Sequence, residues 1–207
     1  LGGNERIHDD RCENFSQRLR DGGGVRRVRG VMAELGPRRG DEEGGSGYSH
    51  ASHRMKFRFL WPRSTADAEL AAVIDRYLNR IKHFYTVEVK EIGGRQGTED
   101  ASIMRAQSAR LMEAIPESGY TVVVDERGRS MDSLKFAKWL ERLTIDQPHG
   151  VTFVAGGDLG LTDDVRKRAD LVLSLSAMTL PHQLARALLV EQIYRACTLM
   201  RNIPYHK

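Results

Sequence analysis

A glycine-rich turn in the last third of the chain is the segment best suited to binding a small molecule. Residues 151–160 read VTFVAGGDLG, which predicts a buried strand followed by a turn containing Gly156, Gly157 and Gly160. Glycines at such a junction let a ligand approach the backbone and leave N–H groups free to donate hydrogen bonds. The spacing differs from the G-x-G-x-x-G dinucleotide fingerprint, so a purely structural turn is the alternative interpretation.

A second junction between a strand and a loop follows along the chain. Residues 173–182 read LSLSAMTLPH and predict a strand and a loop that lead into a long helix. Open parallel sheets bind small molecules at the carboxyl ends of their strands, so the two loops are expected to form one site. His182 in the second loop has two interpretations, as a catalyst or as a packing or capping residue.

Polar side chains continue along the last helix and into the carboxy-terminal tail. Glu191 and Arg195 have the spacing of an exposed helical ion pair, and Arg186 of the same helix is expected on a solvated face. The chain ends with PYHK at 204–207, where a proline precedes a phenol, an imidazole and an ammonium group. Such groups can stack on a base and bind phosphate, although a frayed terminus is the alternative.

Strands and helices alternate from residue 55 onward. The predicted strands are 55–60, 85–92, 120–124, 151–155 and 169–175, and the predicted helices are 67–81, 99–115, 133–143, 161–168 and 181–200. Trp61 and Pro62 are expected to end the first strand, and Thr162 is a plausible N-cap. This alternation, with short connections, predicts an α/β sandwich with a mostly parallel sheet.

The first 54 residues differ in composition from the rest of the chain. They contain 11 of the 20 glycines and 10 arginines but no lysine, and they show no sustained apolar periodicity. Because too little apolar surface is available to offset the chain entropy, residues 1–54 are predicted to be a disordered extension. Met55 is expected to be the natural start, with the preceding residues translated from upstream sequence, and residues 55–207 are expected to form the folded domain.

The bulk composition narrows the class of protein. A chain of 207 residues with 40% hydrophobic residues fits one globular domain, and no apolar run is long enough for a transmembrane helix. Cys12 and Cys197 are far apart, which argues against a disulfide framework and fits a reducing compartment. The net charge of +4 permits an RNA partner without demonstrating one. No Ser–His–Asp arrangement or metal cluster stands out in the sequence.

Four segments taken together resemble one enzyme family. They read VAGGDLGL at 154–161, LSLSAMTLPHQ at 173–183, LVEQIYRA at 189–196 and PYHK at 204–207. In this order and at these spacings they resemble the bacterial large-subunit ribosomal RNA (pseudouridine-N3) methyltransferases of the SPOUT superfamily, and the resemblance covers residues 55–207. It implies a parallel β-sheet sandwiched by helices, a C-terminal trefoil knot, a homodimer and a cytoplasmic location.

The resemblance also implies roles for individual residues. S-adenosylmethionine (SAM) would be held by the knotted loops, and no metal would be needed. The implied cofactor contacts are Val124, Gly156, Leu175, Ser176, Ala177, Met178, Thr179 and Leu180. From the chemistry of the reaction, we expect Tyr205 and His206 to position the target base and manage its proton, and Arg195 and Lys207 to stabilise the developing anion or hold phosphate. The tail would close over the base in the neighbouring subunit's site.

The implied reaction is methylation of N3 of a pseudouridine in large-subunit ribosomal RNA, on the assembled ribosome. The chain departs from the family where WPR at 61–63 stands in place of a common Val-Gly-Lys run, and where Asp158 and Leu159 replace a common Pro-Glu pair. Two alternatives stay open. The same fold could act on another rRNA or tRNA nucleotide, or the protein could be a non-catalytic ribosome-binding module.

Overall fold

The computed structural model describes residues 55–93 and 97–205. The predicted disordered extension, residues 1–54, lies outside the described residues, as do His206 and Lys207 of the tail. The strands are β1 (Lys56–Pro62), β2 (Thr86–Ile92), β3 (Tyr120–Ser130), β4 (Val151–Ala155) and β5 (Leu171–Ser174). The helices are α1 (Ala68–Ile81), α2 (Asp100–Ala114), α3 (Ser133–Asp146), α4 (Asp163–Arg168) and α5 (His182–Leu199).

The five strands form one parallel sheet in the order β2-β1-β4-β3-β5. The central strand β4 pairs with both β1 and β3, and all of its residues are buried. This continuous burial explains its uninterrupted apolar sequence, because a parallel sheet is covered on both faces. The predicted parallel α/β sheet is therefore confirmed, with β2 and β5 as its edges.

Two apolar clusters cover the opposite faces of the sheet. On one face, the ring of Phe153 stacks on Phe59, with centroids 5.5 Å apart, and meets the edge of Phe57 at 5.9 Å. Helices α1, α3 and α5 pack on this face. On the other face, Val154 and Val123 pack against α2 and α4. Successive strand residues thus point to opposite faces, as the period of two requires.

Two strands extend further than their sequences predict. The expected end of β1 at Trp61 is wrong, because Trp61 pairs with Glu91 and Pro62 pairs with Ile92 of β2. The proline is accommodated because β4 pairs with β1 only as far as Leu60, so Pro62 has a neighbouring strand on one side only. Similarly, β3 continues to Ser130, since the strand pairs again with β5 after an irregularity between Val124 and Arg129.

The helix starts depend on polar side chains. The carboxylate of Asp67 accepts hydrogen bonds from the backbone N–H groups of Glu69 and Leu70 at the start of α1. Thr162 occupies the predicted N-cap position of α4, but its side chain makes no capping hydrogen bond with any residue that the structure describes. Instead, its backbone N–H donates to Ser108 Oγ at 3.1 Å, which ties α4 to α2. No helix in the described ranges is long and apolar enough to cross a membrane.

Replacement of Phe153 by alanine is expected to lower the free energy of unfolding by about 3–5 kcal/mol, because it leaves a cavity at the centre of the aromatic cluster. Urea denaturation of the purified protein would measure the change. The control is Ile145→Ala at a side chain of α3 that is 77% exposed; its cost should stay within about 0.5 kcal/mol. Equal losses in the two variants would contradict this account of the core.

Candidate active site

A cavity of about 1080 Å³ opens beside residues 124–127 of β3 and at the carboxyl ends of β4 and β5. Its wall includes seven of the eight sequence-predicted cofactor contacts, namely Val124, Gly156, Leu175, Ser176, Met178, Thr179 and Leu180. The eighth, Ala177, is exposed in the same loop and is not among the described residues that line the cavity. The two glycine- and serine-containing loops therefore meet at one site, as their positions after parallel strands predict.

The glycine turn that follows β4 is tightly packed around Gly156. A Cβ atom on Gly156 would lie 3.0 Å from Leu161 Cγ and 3.1 Å from the carbonyl carbon of Gly160. Gly160 has a φ of +76°, a conformation that favours glycine, and its N–H donates to the carbonyl of Gly157 at 3.1 Å. A side chain at Gly156 would therefore force Leu161 or the backbone of the turn to shift, and the backbone of the turn forms part of the cavity wall.

The loop after β5 is held in shape by its own hydroxyl groups. Ser174 Oγ donates to the carbonyl of Ser176 at 2.8 Å, and Ser176 Oγ accepts from the N–H of Met178 at 2.9 Å. Thr179 Oγ1 donates to Glu126 Oε2 at 2.9 Å, which links the loop to β3 across the cavity. These bonds preorganise the loop before any ligand binds.

A charged network also contributes to the cavity wall. Arg166 of α4 forms an ion pair with Asp125 of β3, with Nε and Oδ2 2.9 Å apart and the two side chains only 16% and 9% exposed. Arg166 also donates to Asp163 at 2.9 Å. The sequence did not identify these residues, because Arg166 and Asp125 are 41 positions apart and carry no local motif.

His182 lies on the cavity wall at the start of α5. Burial, together with the nearby guanidinium groups of Arg186 and Arg63, lowers the pKa of His182, and Asp158 opposes this effect. The imidazole is thereby favoured in its neutral form, which can accept a proton or a hydrogen bond. From this position on the cavity wall His182 can contact a ligand. The interpretation of His182 as a packing or capping residue stays open.

The described part of the tail forms a second cluster around Glu191. The hydroxyl of Tyr205 donates to Glu191 Oε1 at 3.2 Å and lies 3.1 Å from the hydroxyl of Tyr77. Arg195 Nη2 contacts the same carboxylate oxygen at 2.6 Å, and its guanidinium lies 5.0 Å from the centroid of the Tyr205 ring. The ring of Tyr194 meets that of Tyr205 edge-on at 4.9 Å. Glu191 therefore joins the last helix to the tail.

The expectation of an exposed ion pair between Glu191 and Arg195 is wrong. Their side chains are only 16% and 25% exposed, because Tyr205 and Arg195 pack against each other over the carboxylate. The hydrogen bond to Glu191 raises the pKa of Arg195. Burial, followed by the hydrogen bond to Tyr77 and the charge of Glu191, raises the pKa of Tyr205. The phenol thus stays protonated and acts as a hydrogen-bond donor. Tyr77 belongs to this cluster although the sequence did not single it out, whereas Glu191 was predicted only as part of an exposed ion pair.

The structure does not unite the predicted catalytic residues with the cavity in one chain. Neither Tyr205 nor Arg195 is among the described residues that line it, and His206 lies outside the described residues. Among the described residues, no group of His, Cys, Asp and Glu side chains could hold a metal ion.

The expected solvated position of Arg186 is also wrong. Its side chain is 1% exposed, and it donates to the backbone carbonyls of Pro62 at 2.8 Å and Arg63 at 3.2 Å. Helix α5 packs against both α1 and α3, which leaves it little solvated surface. A helical repeat in the sequence cannot distinguish such a doubly covered helix from one with a polar outer face.

Known proteins are similar to most of the described chain. Residues 55–206 match the family described as "Predicted SPOUT methyltransferase". The chain is 36% identical over 152 residues to ribosomal RNA large subunit methyltransferase H of Trichlorobacter lovleyi, which covers 73% of this chain and 99% of the relative. It is 44% identical over 139 residues to the protein of the same name from Syntrophotalea carbinolica, and this alignment covers 67% of this chain and 88% of the relative.

A solved structure is also similar to this chain, at a lower sequence identity. The probable methyltransferase from Bordetella pertussis Tohama I aligns with 69% of this chain and 93% of its own, with 17% identity and a TM-score of 0.44.

The Glu191 cluster predicts the titration behaviour of Tyr205. Replacement of Glu191 by glutamine removes a negative charge that opposes ionisation of the phenol, so the pKa of Tyr205 should fall towards its ordinary value. NMR titration of tyrosines labelled at Cζ would measure it, with Tyr205→Phe to assign the signal. Glu141→Gln, at an exposed residue of α3, is the control and should leave the titration unchanged. An unshifted pKa in Glu191→Gln would contradict the assigned contact.

Proposed function

The chain belongs to the SPOUT methyltransferase family, and from this we propose that it transfers a methyl group from SAM to N3 of a pseudouridine in large-subunit ribosomal RNA. The similarity to relatives named ribosomal RNA large subunit methyltransferase H, over 99% of the length of one of them, carries this proposal. The choice of pseudouridine N3 is supported by the four sequence segments that resemble this enzyme family. An acceptor within the ribosome also supports a cytoplasmic location.

The cavity has the chemistry that SAM binding requires. Its volume of about 1080 Å³ suits a nucleoside-sized ligand. Val124, Leu175 and Leu180 offer apolar surface for an adenine ring, and the backbone of the glycine turn offers polar groups without intervening side chains. When bound, SAM supplies a methyl group activated by a positively charged sulfur. An apolar wall disfavours that charge relative to the neutral thioether product, which promotes transfer.

The remaining requirement is a positioned and deprotonated acceptor nitrogen. Positioning supplies most of the acceleration of an in-line displacement, and loss of the imide proton requires a base or a stabilised anion. Arg195 retains its charge beside Glu191 and favours an anionic imide. Tyr205 retains its proton and donates a hydrogen bond to Glu191, so it would contact the base through its ring or through its hydroxyl oxygen as an acceptor. His206 is then the tail residue that manages the imide proton.

We further propose a knotted homodimer in which the tail of one protomer closes the cavity of its partner. The separation within one chain supports this arrangement, because Tyr205 and Arg195 are not among the described residues lining the cavity. A dimer would let the Glu191 cluster of one copy face the cofactor loops of the other. The family match to residues 55–206 supports the proposed enzyme domain at 55–207, with residues 1–54 as a separate extension.

The function is tested with large ribosomal subunits from cells that lack this protein. Incubation with the full chain and methyl-labelled SAM should place one methyl group per subunit on a pseudouridine, as identified by mass spectrometry of nuclease fragments. Gly156→Ala is the control, since its Cβ would crowd Leu161 and distort the turn. Label in another rRNA nucleotide or in tRNA would favour the alternative substrate. A chain that does not bind SAM in calorimetry would not be a methyltransferase.

Replacement of His206 by alanine should lower methyl transfer by about 100-fold, the lower end of the range for loss of a general acid or base. The affinity for SAM should stay within about twofold of the original, since the proposed role concerns the acceptor base rather than the cofactor. The control is His149→Ala, at an exposed histidine before the amino end of β4. Unchanged turnover in His206→Ala would remove this residue from the mechanism.

A further inference from the structure

A buried arginine, Arg186, joins the last helix to the end of the first strand. Its Nη2 donates to the carbonyl of Pro62 at 2.8 Å, and its Nη1 donates to the carbonyl of Arg63 at 3.2 Å. The guanidinium also lies 5.3 Å from the centroid of the Trp61 ring. One side chain of α5 therefore fixes three consecutive residues at the carboxyl end of β1.

The end of β1 in turn supports the glycine turn of the cavity. A Cβ atom on Gly157 would lie 3.3 Å from Pro62 Cγ and 3.1 Å from Gln107 Oε1, so both side chains lie beside Gly157 and limit the space next to it. Arg63 has a φ of 61°, which non-glycine residues rarely adopt. The hydrogen bond from Arg186 to its carbonyl helps hold this uncommon conformation next to the turn.

Packing alone does not account for an arginine at this position. Among residues 55–93 and 97–205, no carboxylate forms an ion pair with Arg186, and its Nε has no hydrogen-bond partner. Burial lowers the pKa of Arg186 to about 10, and the charge of Glu91 only partly opposes this. An apolar side chain of similar volume would avoid the desolvation of a cation. What the guanidinium adds is a fixed geometry for two carbonyl oxygens.

We propose that Arg186 is a positioning residue for the cofactor, which holds Pro62 against Gly157 and thereby keeps the glycine turn in the form that binds SAM. This inference rests on the proposed function. Arg186 acts through the turn rather than by touching SAM, because it is not among the described residues lining the cavity, whereas its neighbours His182 and Ala185 are. The sequence does not indicate this role of Arg186, because the two carbonyl groups that it contacts are 123 and 124 positions away along the chain.

The matched control is a second arginine that donates to a proline carbonyl. Arg168 Nη2 donates to the carbonyl of Pro116 at 3.1 Å, near the amino end of β3, and Arg168 is not among the described residues lining the cavity. The variants are Arg186→Met, Arg186→Lys and Arg168→Met in the full chain. Calorimetry measures the Kd of SAM, thermal unfolding measures stability, and assays on large ribosomal subunits separate kcat from the KM for SAM.

In Arg186→Met, the Kd and KM of SAM should rise by about tenfold or more, while kcat at saturating SAM changes by less than about threefold, because a loosened support weakens the turn rather than the acceptor site. Arg186→Lys should raise Kd by about threefold, because an ammonium cannot hold both carbonyls in the guanidinium geometry. Arg168→Met should leave Kd within about twofold, whatever its effect on stability.

A role confined to stability would give a different pattern. Substitution of either arginine would then lower the midpoint of thermal unfolding without changing the affinity for SAM. A Kd of SAM within about twofold of the original in folded Arg186→Lys would overturn the inference. Arg186→Lys decides the question alone if Arg186→Met does not fold. If the original protein fails to bind SAM, the proposed function falls and this inference falls with it. If it binds SAM and the Arg186 variants bind equally well, only this inference fails.

Discussion

The contact between the glycine turn and the end of β1 is the constraint on which the site depends. A side chain at Gly157 would crowd Pro62 and Gln107, because its Cβ would lie 3.3 Å from Pro62 Cγ and 3.1 Å from Gln107 Oε1. This packing fixes the turn relative to the central pair of strands, β1 and β4, which are joined by their hydrogen bonds. The cavity wall is therefore supported by the most buried part of the sheet rather than by a loop alone. A site with this support needs little reorganisation when a ligand binds.

Electrostatics divides the chain into two functional regions with different properties. The cavity combines apolar walls with a paired network in which Arg166 binds both Asp125 and Asp163. The tail region instead concentrates its interactions on the single carboxylate of Glu191, which binds a guanidinium and a phenol. The first region suits retention of a cofactor. The second would suit control of charge on an acceptor base in the proposed dimer.

The sequence predicts much of this fold because its local signals agree with its tertiary structure. The alternation of strands and helices, the buried run of β4 and the capping carboxylate of Asp67 all depend on neighbouring residues. The position of the glycine turn at a strand end follows from the same reasoning. By contrast, the burial of Arg186 and the extension of β3 depend on partners distant in the chain. Tyr77 joins the site through a contact 128 positions away, which no local pattern indicates.

The edge strand β2 has a consequence for how copies of the chain can associate. Its exposed residues include Glu88, Lys90 and Glu91. Charged side chains along an edge discourage the addition of a strand from another molecule, and β5 at the opposite edge is only four residues long. Fusion of two sheets into a continuous one is therefore disfavoured at both sides. Association between copies is thus favoured through the helices and loops rather than through the strand edges.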